Sequence, residues 1–203
     1  QNFNPTVSLD GAKAAFTAFG GAQAGRIEVR VKDLRTGGEA AFPVQSVNMG
    51  QVPRLSPDGS LLAYRDVIEG KAKTFVIAPG AAAARALCEG CFVPGFFPGN
   101  DAALVRVKPN ELEKMDLRTG ERAVVLTSPL DIIEDACLSP DGRWIAWLAG
   151  QPDGRAAVRI SPVGVTRDGA QAAITVAESI RYLGQPAWSP DGRWLYYCRA
   201  PRL

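Results

Sequence analysis

The chain of 203 residues contains no histidine. Histidine is the usual general base of serine and cysteine hydrolases and the commonest side-chain ligand of metals. A Ser-His-Asp triad therefore cannot be built within this chain. The sequence also lacks a GxxxxGK phosphate loop and a GxSxG nucleophile elbow. From these absences we predict a non-enzymatic chain with no catalytic residue, no cofactor-binding residue and no metal site.

Long apolar runs and an excess charge are also missing. The net charge is +2, from 23 basic and 21 acidic residues, and the basic residues are scattered singly. This pattern argues against a nucleic-acid partner or an anionic membrane surface. No apolar run approaches the roughly 20 residues that span a bilayer. The composition, 46% apolar, instead predicts one globular domain over residues 1–203.

Cysteine is scarce, with four residues, and two of them form the pair Cys88 and Cys91 in "CEGC". Such a pair suits a disulfide, half a zinc site or a redox motif. Zinc would need a second pair, whereas Cys137 and Cys198 stand singly in apolar strands, where we expect buried small side chains. For Cys88 and Cys91 we expect a local disulfide if the protein is exported, and a thiol pair otherwise.

A turn signature recurs along the chain. The clean copies are "LSPDGSLLAY" (55–64), "LSPDGRWIAW" (138–147) and "WSPDGRWLYY" (188–197), and the worn copies are "VSLDGAKAAF" (7–16) and "FFPGNDAALV" (96–105). Proline presets the second position of a type I turn, aspartate suits the third, and glycine can adopt the left-handed conformation that follows. Each copy therefore predicts a strand, a bulged turn and a second strand.

The copies return about every 40–50 residues, which is typical of a β-propeller or a similar array. A second repeat, "VKDLRTGGEA" (31–40) and "KMDLRTGERA" (114–123), predicts a further turn and an outer strand in each unit. We therefore predict an all-β fold of four-stranded antiparallel blades. In the third unit the strands are expected at 92–97, 101–107, 111–117 and 122–127.

The three clean copies resemble the WD40-like PD40 repeat of TolB-like β-propellers and of dipeptidyl-peptidase-like N-terminal domains. A narrower likeness, carried by "ARALCEGCFVPGFFPGN" and "QPAWSPDGRWLYY", is to propeller regions of acidobacterial regulatory proteins. This resemblance implies a propeller over essentially the whole chain. It also implies that the Cys88–Cys91 pair belongs to the blade pattern and not to an active site.

The predicted blades occupy about 3–45, 50–90, 91–128, 132–180 and 184–203, and the fifth contains only its two inner strands. The sequence thus predicts about four and a half blades, as a partial or open propeller. Two sources could supply the missing strands, namely a second copy of the chain or another segment.

Few residues qualify as candidates for a site. Glu134 and Asp135 precede a predicted inner strand, so we expect them near the mouth of the central channel. Their adjacent positions on an extended chain direct them to opposite faces, which weakens a cooperating pair. The tryptophans at 144, 147 and 194 are expected to fill the space between blades, whereas Trp188 is a weak candidate for the same channel mouth.

Two hypotheses on function follow from these patterns. The first is a non-catalytic propeller that binds a protein or peptide partner, as the sensor part of an envelope or regulatory protein. The second is the gating propeller of a prolyl-oligopeptidase-like enzyme whose catalytic domain lies outside this chain. We expect a periplasmic or otherwise extracytoplasmic location, with the cytoplasm as the alternative.

Overall fold

The computed structural model describes residues 2–19, 27–45, 52–164, 173–180 and 183–199. Within these residues it contains eighteen β-strands and no helix. In this part of the chain, no helix has the length and apolar character needed to cross a membrane. The prediction of an all-β fold is confirmed.

The chain separates into two compact units, Gln1–Asn100 and Asp101–Leu203. The first unit holds two complete four-stranded sheets and the first strand of a third. The strands of these sheets are β1 (Asn2–Val7), β2 (Lys13–Phe19), β3 (Ile27–Asp33), β4 (Glu39–Val44), β5 (Arg54–Leu55), β6 (Leu62–Ile68), β7 (Lys71–Ile77), β8 (Arg85–Glu89) and β9 (Phe92–Phe96).

The second unit holds the other strands of the third sheet, a complete fourth sheet and a two-stranded sheet. These strands are β10 (Ala102–Arg106), β11 (Glu111–Asp116), β12 (Arg122–Thr127), β13 (Ile132–Leu138), β14 (Trp144–Gly150), β15 (Ala156–Pro162), β16 (Ile174–Ser179), β17 (Ala187–Trp188) and β18 (Leu195–Tyr196).

Each complete sheet is a meander in which sequential strands are neighbours, with orders β1-β2-β3-β4, β5-β6-β7-β8, β9-β10-β11-β12 and β13-β14-β15-β16. The strand pairs are antiparallel. These are the four-stranded blades of a β-propeller, and β17 with β18 adds two strands of a fifth. The strands of the third unit lie within one residue of their expected bounds.

The repeated turns fold as their sequence predicts. In the copy at 138–147, the Gly142 N–H donates to the Ser139 carbonyl at 2.8 Å, and Gly142 has a φ of +69°. The Ser139 hydroxyl accepts the Trp144 N–H at 3.0 Å and donates to Asp141 at 2.5 Å. The worn third copy uses Asn100, with a φ of +60°, in place of the left-handed glycine. The copies at Gly11, Gly59 and Gly192 share the geometry of Gly142, whereas the third copy also has Gly99 at a φ of +92°, where the others carry aspartate, and so forms a different turn.

Each unit has an apolar core between its sheets. In the first unit, buried residues from β2 to β7, among them Ala15, Val31 and Leu62, form one cluster. In the second unit, Leu148 and Val158 of the fourth blade pack with Leu183, and Leu195 of β18 packs against this cluster. The hairpin β17–β18 is therefore held against the fourth blade by the inward side of β18.

Two sequence-based expectations about burial are wrong. Trp147 is fully buried, as expected. Trp144 and Trp194 are exposed, because each follows its turn directly and lies at the end of the strand nearest that turn. Cys198 is likewise exposed and Cys137 is partly exposed, although both were expected to be buried.

Candidate functional site

The hairpin β17–β18 presents the most exposed aromatic side chains of the described residues. Trp194 is 65% exposed and Tyr196 is 61% exposed, and Tyr197 beside them is also exposed. Trp194 and Tyr196 alternate with Leu195, which packs into the core of the second unit. The strand thus directs one residue inward and two aromatic rings toward solvent.

The turn of this hairpin is held rigidly by its own side chains. Ser189 accepts the Trp194 N–H on its hydroxyl at 2.9 Å and donates the hydroxyl proton to Asp191 at 2.5 Å. The Ser189 bond and the Arg193 N–H lower the pKa of Asp191, so its carboxylate stays charged and accepts both. These hydrogen bonds fix the backbone of the turn that precedes the aromatic residues, which suits a preformed binding surface.

The outer edge of β18 has no partner strand among the described residues. β18 pairs with β17 through Ala187–Tyr196 and Trp188–Leu195, and this sheet has two strands whereas the other four have four. In the fourth blade the matching strand β14 pairs on its outer side with β15, so that Trp144 lies opposite Pro162. The edge of β18 corresponds to the position that β15 occupies in the fourth blade.

The predicted carboxylate pair lies on a β-bulge of β13. The register between β13 and β14 shifts between Ile133 and Asp135, which leaves Glu134 as the additional residue. Arg106 stabilises the bulge, because its guanidinium donates to the carbonyls of Ile133 and Glu134. The bulge brings the Glu134 carboxylate close to Gly150, where a Cβ atom would lie 2.7 Å from Oε1.

The two carboxylates of this pair differ in environment. Glu134 is exposed, whereas Asp135 is 4% exposed and its Oδ1 accepts the Ala136 N–H at 2.8 Å. The Asp135 carboxylate thus binds the local backbone, and of the two only Glu134 faces solvent. The structure does not join them as an acid–base pair.

Trp188, the third candidate, lies on β17, which is in contact with β13. Its side chain is partly buried, and its indole N–H is buried without a hydrogen-bond acceptor among the described residues. Trp188 lies opposite Leu195 across the hairpin, so the two side chains project to the same face of this sheet. The prediction that Glu134, Asp135 and Trp188 line a channel mouth stays a prediction.

Cys88 and Cys91 lie at the join of β8 and β9, with their Cα atoms 5.9 Å apart and their sulfur atoms in bonding contact. The Cys91 carbonyl accepts the Thr74 hydroxyl at 2.7 Å. The pair therefore closes the connection between the second and third blades.

The fold places the chain among the β-propellers, and comparison with known proteins agrees on the fold. No protein-family model matches the sequence, and no curated protein matches it. The chain is similar in structure to TolB from Acinetobacter baumannii, with 17% identity over 96% of this chain and 48% of that chain and a TM-score of 0.75.

Other propeller structures are also similar. One is a nidogen/laminin complex, with 11% identity over 97% of this chain and 71% of that chain and a TM-score of 0.65. Another is an oligogalacturonate lyase in complex with manganese, with 10% identity over 94% of this chain and 56% of that chain and a TM-score of 0.60. The chain spans about half the length of the first structures it matches. Since these include a lyase and a protein complex, the fold alone does not assign a function.

The sequence contained a signal for the aromatic surface that was interpreted differently. "GRWLYY" (192–197) repeats "GRWIAW" (142–147), and of its aromatic residues Trp194 was expected to fill the space between blades. The repeat pattern predicted a fifth blade with only its two inner strands, so the sequence did contain a signal for the open edge beside these residues.

Proposed function

We propose that this chain is a non-catalytic β-propeller module that binds an extended segment of a protein or peptide partner along the edge of β18. The observation that carries the proposal is the exposed pair Trp194 and Tyr196 on a strand whose outer edge has no partner strand in the described part of the chain. The absence of histidine from the sequence supports a binding role over a hydrolytic one.

An extended segment fits this edge because an open strand offers a row of backbone N–H and C=O groups. Strand addition satisfies these groups and gives affinity, while alternate side chains give specificity. Aromatic rings at a rigid surface supply contact area with little loss of conformational entropy. We therefore expect the partner segment to carry apolar side chains at alternate positions, so that they cover Trp194 and Tyr196.

The chain itself provides a probe. A capped peptide with the sequence of β15, AAVRISP (156–162), has the residues that pair with β14, and β14 follows the same "PDGRW" turn as β18. We expect this peptide to bind the full chain saturably in a calorimetric titration. Replacing Trp194 and Tyr196 together by alanine should weaken binding about tenfold or more.

Two controls make the test specific. Trp144→Ala removes an exposed tryptophan at the same position of the fourth blade, where β15 already covers the edge, so it should leave the affinity unchanged. A peptide methylated on alternate backbone nitrogens keeps its side chains but loses pairing, so it should not bind. Equal binding by the methylated peptide, or by the Trp194/Tyr196 variant, would contradict strand addition.

A second copy of the chain is the competing occupant of the edge. Light scattering on the chain alone distinguishes the two, since the proposal expects a monomer. A dimer that dissociates when Trp194 and Tyr196 are replaced would show that the edge serves self-association.

We further propose an extracytoplasmic location, which the adjacent sulfur atoms of Cys88 and Cys91 support, because disulfides persist in oxidising compartments. The thiol content of the protein isolated from its native cells under acid quench tests this. Two reactive thiols per chain are expected, and four would contradict it.

A further inference from the structure

A cavity of the first unit lies between the outer strands of the first blade and the turn that follows β7 in the second blade. Residues of β2, β3 and β4 line it together with Pro79 and Gly80 of that turn. Its volume is about 260 Å³, slightly below the roughly 300–1,000 Å³ of pockets that hold drug-sized ligands. The cavity therefore suits a small organic molecule.

The register of the first blade places two opposite charges on the face that borders this cavity. Lys13 of β2 lies directly opposite Asp33 of β3, so their side chains project to the same face of the sheet. Val31, two residues before Asp33, shares that face and packs in the buried cluster that also contains Leu62 of the second blade. Lys13 and Asp33, which both line the cavity, therefore face the second blade above an apolar residue.

The two charges are anchored separately. In the described part of the chain Lys13 and Asp33 form no ion pair with each other, although opposite charges at such positions stabilise a sheet when they pair. The Lys13 ammonium instead donates to the Gly59 carbonyl of the second blade at 2.9 Å. Oδ1 of Asp33 accepts the N–H groups of Arg35 and Thr36 at 2.9 and 2.8 Å. One charge is thus fixed on the second blade and the other on the β3–β4 turn of the first.

Both charged groups keep hydrogen-bonding capacity for a ligand. An ammonium has three donors and a carboxylate accepts about four hydrogen bonds, and the anchors leave part of this capacity unused. The N–H groups of Thr36 and Arg35 lower the pKa of Asp33, and the charge of Lys13 adds to this effect, so the carboxylate is ionised at neutral pH. Groups that are already held in place bind a ligand with less loss of conformational entropy.

We infer that this cavity binds a small zwitterion, namely an amino acid with a free ammonium and a free carboxylate. The ligand carboxylate accepts from Lys13, the ligand ammonium donates to Asp33, and the ligand carbon atoms lie against Val31 and Ala40, which are opposite each other on β3 and β4. A simple anion or cation would satisfy one of the two charged groups and meet repulsion from the other. A zwitterion satisfies both.

This site lies in the first unit and its argument does not use the edge of β18. Either proposal can therefore fail without the other.

The test uses the full chain labelled with ¹⁵N and follows the backbone amide resonances of Gly38 and Gly80, which line the cavity. Glycine, β-alanine and 4-aminobutyrate are titrated in turn, because their two charges are separated by one, two and three carbon atoms. We expect saturable shifts with at least one of them, and the tightest binder reports the separation of the two charged groups. The inference is overturned if none of the three saturates.

Singly charged analogues test the need for both charges. Glycinamide lacks the carboxylate and N-acetylglycine lacks the ammonium, and each has a matched amide or acetyl derivative of β-alanine and 4-aminobutyrate. Each analogue should bind at least tenfold more weakly than its parent amino acid, the effect of losing a hydrogen bond between charged groups. Equal binding by either analogue would contradict recognition of a zwitterion.

Variants with matched controls locate the site. Lys13→Met should weaken binding at least tenfold, whereas Lys32→Met, which removes an exposed lysine on the other face of β3, should leave it unchanged. Ala40→Leu keeps both charges and fills the cavity, so it should abolish binding. Ala41→Leu adds the same side chain on the opposite face of β4 and should bind as the parent does. Unchanged binding in Lys13→Met, or in Ala40→Leu, would overturn the inference.

Discussion

At the scale of single residues, the repeated turn depends on one backbone conformation. Gly142 has a φ of +69°, and its counterparts Gly11, Gly59 and Gly192 have values of +69°, +67° and +69°. A Cβ atom in the left-handed region costs roughly 1–2 kcal/mol. The backbone conformation at these four positions therefore favours glycine.

We predict that Gly142→Ala lowers the free energy of unfolding by about 1–2 kcal/mol, as measured by urea denaturation. Gly95→Ala is the matched control, because nothing lies within 4 Å of its Cβ position and Gly95 is not among the positive-φ glycines. An equal loss of stability in both variants would show that the turn conformation is not the cause.

A second prediction concerns pH. Burial acts to raise the pKa of Asp58, but hydrogen bonds from Ser60 and Ser56 outweigh it and lower the pKa from 3.8 to about 2. The Asp58 carboxylate therefore stabilises the fold fully above the unfolded value, and this contribution is lost as the pH falls from about 4 to about 2. Since the group is largely exposed, we expect less than about 1 kcal/mol.

The measurement is the free energy of unfolding at several pH values between 2 and 6. Asp58→Asn should be less stable than the parent at pH 6, and its stability should change less between about pH 4 and pH 2. Asp101→Asn, an exposed aspartate that does not occupy the turn position of Asp58, is the control. If the free energy of unfolding changes equally with pH in the parent and in Asp58→Asn, Asp58 does not cause the loss of stability at low pH.

A third prediction compares two ion pairs of the second unit. Asp131 is 5% exposed and pairs with Arg159 at 2.5 Å, and the Arg159 guanidinium lies 5.4 Å from the centre of the Trp147 ring. Asp153 and Arg155 form a pair at 3.2 Å in which both side chains are about half exposed. Removing one member of a buried pair leaves an uncompensated charge, whereas an exposed member stays solvated.

Asp131→Ala should therefore cost about 3 kcal/mol, and Asp153→Ala less than about 1 kcal/mol. The double variant Asp131→Ala with Arg159→Met should regain part of the loss, since no charge is then left buried. Urea denaturation of the four proteins measures this. Similar costs for Asp131→Ala and Asp153→Ala would mean that the buried pair is solvated.

At the scale of elements, the connection between β8 and β9 provides the fourth prediction. With Cys88 and Cys91 bonded, only Cys137 and Cys198 should react with a thiol reagent in the folded protein, and Cys198 should react first because it is exposed. Replacing Cys88 and Cys91 by serine should cost about 2 kcal/mol, because a short loop constrains the unfolded chain only modestly. Reaction of all four cysteines before reduction would contradict the bond.

Strands and turns were predictable because their determinants are local. In the third blade, the Pro-Gly-Asn turn at 98–100 separates the first two strands and the Thr-Gly turn at 119–120 separates the last two, and its strands fall within one residue of expectation. Trp194 was expected between the blades, but it is the first residue after its turn and is exposed, as is Trp144 at the same position of the complete fourth blade.

At the scale of the whole molecule, four blades share one plan and the fifth sheet departs from it. In the fourth blade, strand β14 is paired on both sides, by β13 and by β15. Strand β18 follows the same turn but is paired only with β17 among the described residues. The central claim of a binding module depends on this difference between β14 and β18.

Hydrogen exchange at Leu195 tests that claim most directly. Hydrogen bonds alternate along an antiparallel pair, and Ser189 and Trp194 form a bonded pair, so the Leu195 N–H points away from β17. In the free chain we predict that the Leu195 amide exchanges much faster than that of Ile145, its counterpart in β14. The β15 peptide should slow Leu195 selectively. A Leu195 amide that exchanges at the same rate with and without saturating peptide would contradict the account.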